Sequence, residues 1–280
     1  MPTFSLLTMN CFGVPTPATN ARLQTLAREL NARDDQLVCL QEVQSHIYRR
    51  LLMRACASYP HAAFAPFLHA PKGGLLTLAR LPIAEFQFTL YRSRQVPYPP
   101  SLMDWVLHKG VLTTRLEYAG LSIVVLNTHL HANYNGIWDR RNRYAQGEAE
   151  QLRELAEIVR AQPPEALVVA VGDFNFPRGS WLHEEFLAAS GMTDPLLGDA
   201  RPTVRALPGI PERYAQAIDF AFVRAPKLAG LHVASELRFA EQVLFSGRPR
   251  FLSDHVAVEL RVEWDEAGDE RKELTRSNLL

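Results

Sequence analysis

Eight residues of restricted type carry the chemical interest of this sequence: Asn10, Glu42, His129, Asp173, Asn175, Asp219, Asp254 and His255. Four are carboxylates, two are amides and two are imidazoles, and each sits at or near the end of an apolar run. Asn10 follows FSLLTM, Glu42 follows LVCLQ and His129 follows IVVLNT. Asp173 and Asn175 close ALVVAVGDFN, Asp219 lies inside AIDFAFV, and Asp254–His255 precede VAVEL. Any one of them could be a turn former or a cap. As a set delivered repeatedly to strand ends they read as a site. Hard oxygen donors such as Glu42, Asp254 and the Asn10 amide suit Mg²⁺, or Mn²⁺, better than zinc. The absence of an HExxH motif and of paired cysteines agrees.

Spacing adds geometry to type. Asp173 and Asn175 are two apart, so in extended backbone both point to one side while Phe174 packs on the other. Gly172 lets the chain turn sharply before them. In Ser253-Asp254-His255 an acid and an imidazole are neighbours and face differently unless they sit at a bend; that suits one contacting metal and the other water. The stretch LSIVVLNTHLHANYN, residues 121–135, is an apolar strand ending in a polar burst. Strand alternation projects Asn127, His129 and His131 to one side. Of these, Asn127 reads as support, and His131 stands either as pocket wall or as part of the turn.

The elements that must position these residues follow from hydrophobic periodicity. Strands are expected at 3–10, 36–41, 75–80, 83–90, 110–118, 121–128, 166–171, 217–223, 231–239 and 255–263. Amphipathic helices are expected at 18–31, 45–58, 138–161 and 180–190. The run ALVVAV is apolar throughout, as a central strand covered on both faces requires. Strands in adjacent pairs, with helices mainly in the first two thirds, predict an α+β fold with two packed sheets flanked by helices. Residues 1–263 read as one domain, and 264–280 as a charged tail without apolar periodicity. The Pro-rich stretch Tyr98–Leu107, with Trp105 in it, either tucks over the core or presents an apolar surface.

Composition limits the function classes. The 280 residues carry 30 basic and 30 acidic side chains, and this neutrality counts against bulk binding to a nucleic-acid backbone. Three cysteines without a CxxC argue against a disulfide framework, and no signal segment or apolar run of membrane-spanning length is present. A reducing, cytoplasmic setting is expected, with peripheral contact at a membrane open.

Five motifs in order carry a resemblance: MN at 9–10, QE at 41–42, GDFN at 172–175, IDF at 218–220 and SDH at 253–255. The chain resembles the endonuclease/exonuclease/phosphatase family, the DNase-I-like superfamily, over residues 3–262. The resemblance implies a four-layer αββα sandwich with two mixed β-sheets. It implies that Glu42 holds a catalytic divalent metal, helped by Asn10 and Asp254, and that His255 is the general base with Asp219 orienting its ring. His129, Asp173 and Asn175 would then contact the scissile phosphate or the attacking water.

The segment THLHANYN, residues 128–135, together with HKGVL at 108–112, is most similar to the neutral, Mg²⁺-dependent sphingomyelinase branch. That similarity implies a phosphodiesterase releasing a small phosphorylated head group from a phospholipid at an interface. Lys109, Tyr134 and Trp105 would touch substrate. Lys109 is either a point charge near the phosphate, paired with Asp104, or a solvent-facing lysine at a strand start. A DNA-repair-type nuclease and an inositol-polyphosphate phosphatase of the same superfamily are the alternatives. A catalytically inactive binding protein of this fold is the rival from another class.

Overall fold

The computed structural model describes residues 1–93, 108–206 and 211–265. Trp105, Asp104 and the stretch Tyr98–Leu107, as well as the tail beyond Asp265, lie outside the described residues. Trp264 is 3% exposed and packs edge-on against Tyr118, so the ordered core extends one residue past the expected domain end.

The described strands, in chain order, are β1 (Thr3–Asn10), β2 (Leu37–Gln41), β3 (His61–Ala63), β4 (Leu76–Ala79), β5 (Glu85–Leu90), β6 (Gly110–Tyr118) and β7 (Leu121–His129). They continue with β8 (Leu167–Asp173), β9 (Asp219–Arg224), β10 (His232–Arg238), β11 (Val243–Phe245), β12 (Arg248–Arg250) and β13 (Ala257–Glu263). One sheet has the order β10-β13-β1-β2-β4-β3 and the other β5-β6-β7-β8-β9. Each is mixed: β1 and β2 run parallel in the first, β7 and β8 in the second, and every other pair within them is antiparallel. A short β11–β12 hairpin stands apart.

Alternation along the strands builds the layers. Phe4, Leu6, Leu37 and Cys39 of the first sheet meet Ile123, Val125, Val169 and Val171 of the second in a core between the sheets. The intervening residues face outward. Leu7, Met9, Val38 and Leu40 pack under helices α1 (Thr19–Asn31) and α2 (His46–Ala55). Val124, Leu126, Val168 and Ala170 pack under α3 (Arg143–Arg160) and α4 (Trp181–Ser190). The four-layer αββα sandwich follows. Each leucine so enclosed contributes about 1.5–3 kcal/mol from burial.

Two local expectations shift. The third helix begins at Arg143 rather than Trp138, because the Asn142 side chain accepts hydrogen bonds from Tyr144 N and Ala145 N and so caps it there. Strand β13 begins at Ala257, two residues later than expected, which leaves His255 in the loop before it. The three-residue strands β3, β11 and β12 carry too little periodicity to be read from sequence.

Candidate active site

The register of the second sheet aligns three of the candidate residues. His129 pairs with Asp173 across β7 and β8, and Asp173 pairs with Asp219 across β8 and β9, so all three stand in one row at one edge. At the same edge of the first sheet, β1 ends in Asn10 and β2 ends just before Glu42. The site straddles the mouth between the two sheets. Gly172 makes the row possible: its φ is +140°, and a Cβ there would lie 1.8 Å from Thr128 O on the neighbouring strand.

Asn10 ties the two halves together. Its Nδ2 donates to Glu42 Oε1 at 3.1 Å and to Asp173 Oδ2 at 3.0 Å, and its Oδ1 accepts from Phe12 N at 3.0 Å. The amide nitrogen therefore faces the carboxylates and the amide oxygen is turned to its own loop. Asn10 clamps two acids here, and its oxygen, expected as a metal donor, points elsewhere. Glu42 itself sits at φ +56°, an uncommon conformation for a residue with a side chain.

His255 is the hub of the opposite wall. Its Nδ1 lies 2.9 Å from Asp219 Oδ2 and its Nε2 3.8 Å from Asp173 Oδ2, while His129 Nε2 lies 3.4 Å from the same Asp173 oxygen. The loop before β13 is pinned by Ser253: His255 N donates to Ser253 Oγ, and that hydroxyl lies 2.7 Å from Asn10 O and 3.0 Å from Asp254 Oδ1. Asp219 N donates to Thr203 Oγ1 at 3.0 Å. Asn175, at φ +59°, donates through Nδ2 to Leu130 O, and its own N–H donates to Asp173 Oδ1. Lys109 is 4% exposed and its Nζ donates to the same Leu130 oxygen, so the solvent-facing reading of this lysine is overturned.

The electrostatics follow from burying acids together. Burial pushes the Asp173 carboxyl up and neighbouring Asp219 pushes it further, against the opposing pull of His255, Asn10 and Lys109. Burial likewise raises Glu42, offset in part by Asn10, His255 and Lys109, while Asp254 adds to the rise. For His255, burial opposes the charged ring, but Asp219, Asp173 and Asp254 outweigh it and carry its pKa well above the ordinary value.

This excess of acid fits a divalent cation. The hydrogen-bond partners of the Glu42 carboxylate among the described residues are the neutral amides of Asn10 and Gln44. A raised, partly buried carboxylate without a cationic partner in hydrogen-bonding contact is chemically a hard-metal donor. Donor atoms of Asp173, Asp219 and His255 also lie within 4.8 Å of one another. That second group was not expected from sequence as a metal set.

The remaining expected residues separate. Tyr134 lines a cleft of ≈ 460 Å³ beside His255, together with Trp138, Asn175, Tyr214 and Asp254. Asp254 thus faces the cleft on one side of its loop. His131 does not follow His129: β7 ends at His129, and His131 is buried with its N–H donating to Gln151 of α3. Asn127 supports the sheets from between them. Sequence reasoning missed Arg22. On α1 it is 7% exposed and its guanidinium donates to the carbonyls of Cys11, Phe12 and Leu252, holding together the loop that follows Asn10 and the loop that carries Asp254. An arginine immediately before Leu23, on the helix face that turns inward, was the available signal.

Comparison with known proteins is consistent with this geometry. Residues 7–255 match the Endonuclease/Exonuclease/phosphatase family. An inositol phosphosphingolipids phospholipase C of Schizosaccharomyces pombe is 31% identical over 65% of this chain and 43% of its own. A putative neutral sphingomyelinase of Drosophila melanogaster is 27% identical over 91% of this chain and 59% of its own. The chain thus spans about half the length of these curated relatives. Among solved structures, SmcL superposes with a TM-score of 0.75 at 17% identity, covering 93% of this chain and 99% of that one. A Staphylococcus aureus beta toxin with bound magnesium ions superposes at 0.70 and 16% identity, covering 92% and 99%. These last two establish the fold.

Proposed function

Because the chain belongs to the endonuclease/exonuclease/phosphatase family, we propose that it is a divalent-metal-dependent phosphodiesterase of sphingomyelinase type, hydrolysing the head-group phosphodiester of a phospholipid at an interface. The observation that carries the reading is the convergence on Asp173 Oδ2 of Asn10 Nδ2 at 3.0 Å, His129 Nε2 at 3.4 Å and His255 Nε2 at 3.8 Å. The sphingolipid-hydrolysing relatives and the magnesium-bearing structural neighbour support the substrate class and the metal.

His255 acts as general base through Nε2, with Nδ1 held by Asp219 so that the ring presents one nitrogen to the attacking water. Asp173, His129 and Asn175 orient that water and the phosphate. Lys109, buried beside Leu130, lends positive charge to a phosphoryl oxygen. Glu42, aided by Asp254 and held in place by Asn10, is the residue that would hold Mg²⁺ or Mn²⁺. An ion held there would supply neutralising charge to the phosphoryl oxygens. Tyr134 contributes to the wall on which one phosphate substituent rests. Trp105, in the Tyr98–Leu107 stretch, is a further residue proposed to touch substrate.

No described helix is long and apolar enough to cross a membrane. The chain's three free, buried cysteines support a reducing, cytoplasmic setting. The test is a side-by-side assay with Mg²⁺ on sphingomyelin, an inositol phosphosphingolipid, lysophospholipid, abasic-site DNA and inositol polyphosphates. Head-group release from a sphingolipid is expected. Cleavage of abasic DNA with inert lipids would assign a repair-type nuclease instead, and release of inorganic phosphate from inositol polyphosphates a phosphatase.

A further inference from the structure

The loop between β3 and β4, residues 64–75, is a built arm. Lys72 N donates to Ala65 O at 2.8 Å and Pro66 bridges Pro71, closing its stem and leaving Phe67–Ala70 as the tip. Leu68, at that tip, is 87% exposed. The first turn of α2 is joined to it: His46 N donates to His69 O at 3.1 Å, and His46 Nε2 lies 2.6 Å from Phe67 O. The next residue of α2, Ile47, is 63% exposed. Single exposed aliphatics are ordinary. Here one stands at the tip of the arm and the other directly follows the residue hydrogen-bonded to that tip.

The arm also reaches the site. Strand β4 begins opposite the end of β2, with Leu76 beside Leu40, so the loop rises at the edge where Glu42 stands. Val43 N donates to Gly74 O at 2.8 Å. Gly74 has φ +65°, and a Cβ there would lie 3.2 Å from Glu42 Cα, so the arm's base packs directly on the backbone of Glu42. Behind the tip, α2 carries Arg50 and Arg54, which line a shallow groove of ≈ 440 Å³ with Ile47 and Leu51. Residues 47, 50 and 54 share one helix face. Arg50 is about 4.5 Å and Arg54 about 10 Å along the axis from Ile47.

We propose that residues 64–75 and the first turn of α2 form a lipid-contact arm, with Leu68 and Ile47 entering the bilayer interface and Arg50 and Arg54 at phosphate level. It rests on the reading of the protein as an enzyme acting at a lipid surface. The occupant is a bilayer because isolated aliphatic tips backed by arginines suit a soft anionic interface, and because the arm shares an edge with a phosphodiester site. Contact and the metal-holding carboxylate then belong to one rigid piece, so docking presents Glu42 at the membrane.

The experiment is sedimentation of the full chain with phosphatidylcholine vesicles containing phosphatidylserine, read without reference to hydrolysis. Wild type is expected to sediment. The double variant Leu68→Ser, Ile47→Ser should lose about tenfold or more of the bound fraction. Arg50→Gln with Arg54→Gln should abolish the phosphatidylserine dependence, which added salt should also weaken. Leu197→Ser is the control, since Leu197 is 69% exposed but lies beyond Thr193, which bridges Val223 toward the far end of β9. Thermal unfolding checks that each variant folds. Wild type that stays in solution, or a double variant that sediments like it, overturns the arm. Sedimentation without sphingolipid hydrolysis would reject the enzymatic reading while leaving the arm standing.

Discussion

Gln41 Nε2 donates to Asn127 Oδ1 at 2.8 Å, a hydrogen bond that joins the two sheets one residue behind Glu42 and two residues behind His129. Gln41 also donates to Thr8 Oγ1, and Asn127 Nδ2 lies 3.4 Å from Leu40 O, Leu76 O and Thr77 Oγ1. Further in, the two sheets meet through apolar side chains, which by themselves are non-directional. The polar tie fixes their relative register at the site.

Replacing Gln41 by Leu should therefore do two things. It strands the Asn127 oxygen in the core, costing about 1–3 kcal/mol, seen as a lower urea midpoint. It also loosens the placement of Glu42 against His129, so kcat should fall more than KM rises. An unchanged kcat in a destabilised variant would confine Gln41 to stability.

Asp219 sets the titration of His255. Because its charge, with that of Asp173 and Asp254, holds the imidazole pKa well above the ordinary value, Asp219→Asn should lower it. The acidic limb of the pH–rate profile then moves to lower pH, even as the maximal rate falls. His255→Ala should cost about 10²–10⁴-fold in rate. A limb that stays in place in Asp219→Asn would remove His255 from the general-base role.

Glu42→Gln should weaken Mg²⁺ binding measured by calorimetry and abolish turnover, and chelation of wild type should do the same reversibly. The amide keeps the shape and the contact with Asn10 while removing the charge a hard cation requires. Full activity in EDTA would end the metal mechanism.

Away from the site, Asp194 is bonded by His183 at 3.0 Å and Arg178 at 2.7 Å. Burial pushes its carboxyl up, but the His183 and Arg178 contacts outweigh this and hold its pKa below the ordinary value. A depressed carboxylate stabilises the fold above its unfolded pKa of about 3.9 and loses that contribution as pH falls through the lower folded value. Denaturant titrations from about pH 6 to pH 2 should show a shallower acid loss in Asp194→Asn than in wild type. Parallel curves would refute the assignment.

Much of this protein was legible from one dimension. Apolar runs of period two, and the all-apolar ALVVAV, specify strands buried on one or both faces, because backbone pleat and burial leave a direct mark on composition. The residue types at their ends, from Asn10 to His255, carried the expectation of hard-metal and acid–base chemistry that the proposed function takes up. What tertiary structure alone decided is how those ends meet. Asn10 turns its nitrogen to Glu42 and Asp173 because its oxygen is taken by Phe12 N. His131 leaves the row because β7 stops at His129. Arg22 braces two site loops by gathering the carbonyls of Cys11 and Phe12 together with that of Leu252, 230 residues further along the chain than Arg22 itself. Each depends on which partner is nearest in space once the two sheets and the four described α-helices have closed on one another. Distances across sheets leave no periodic trace in the chain that forms them.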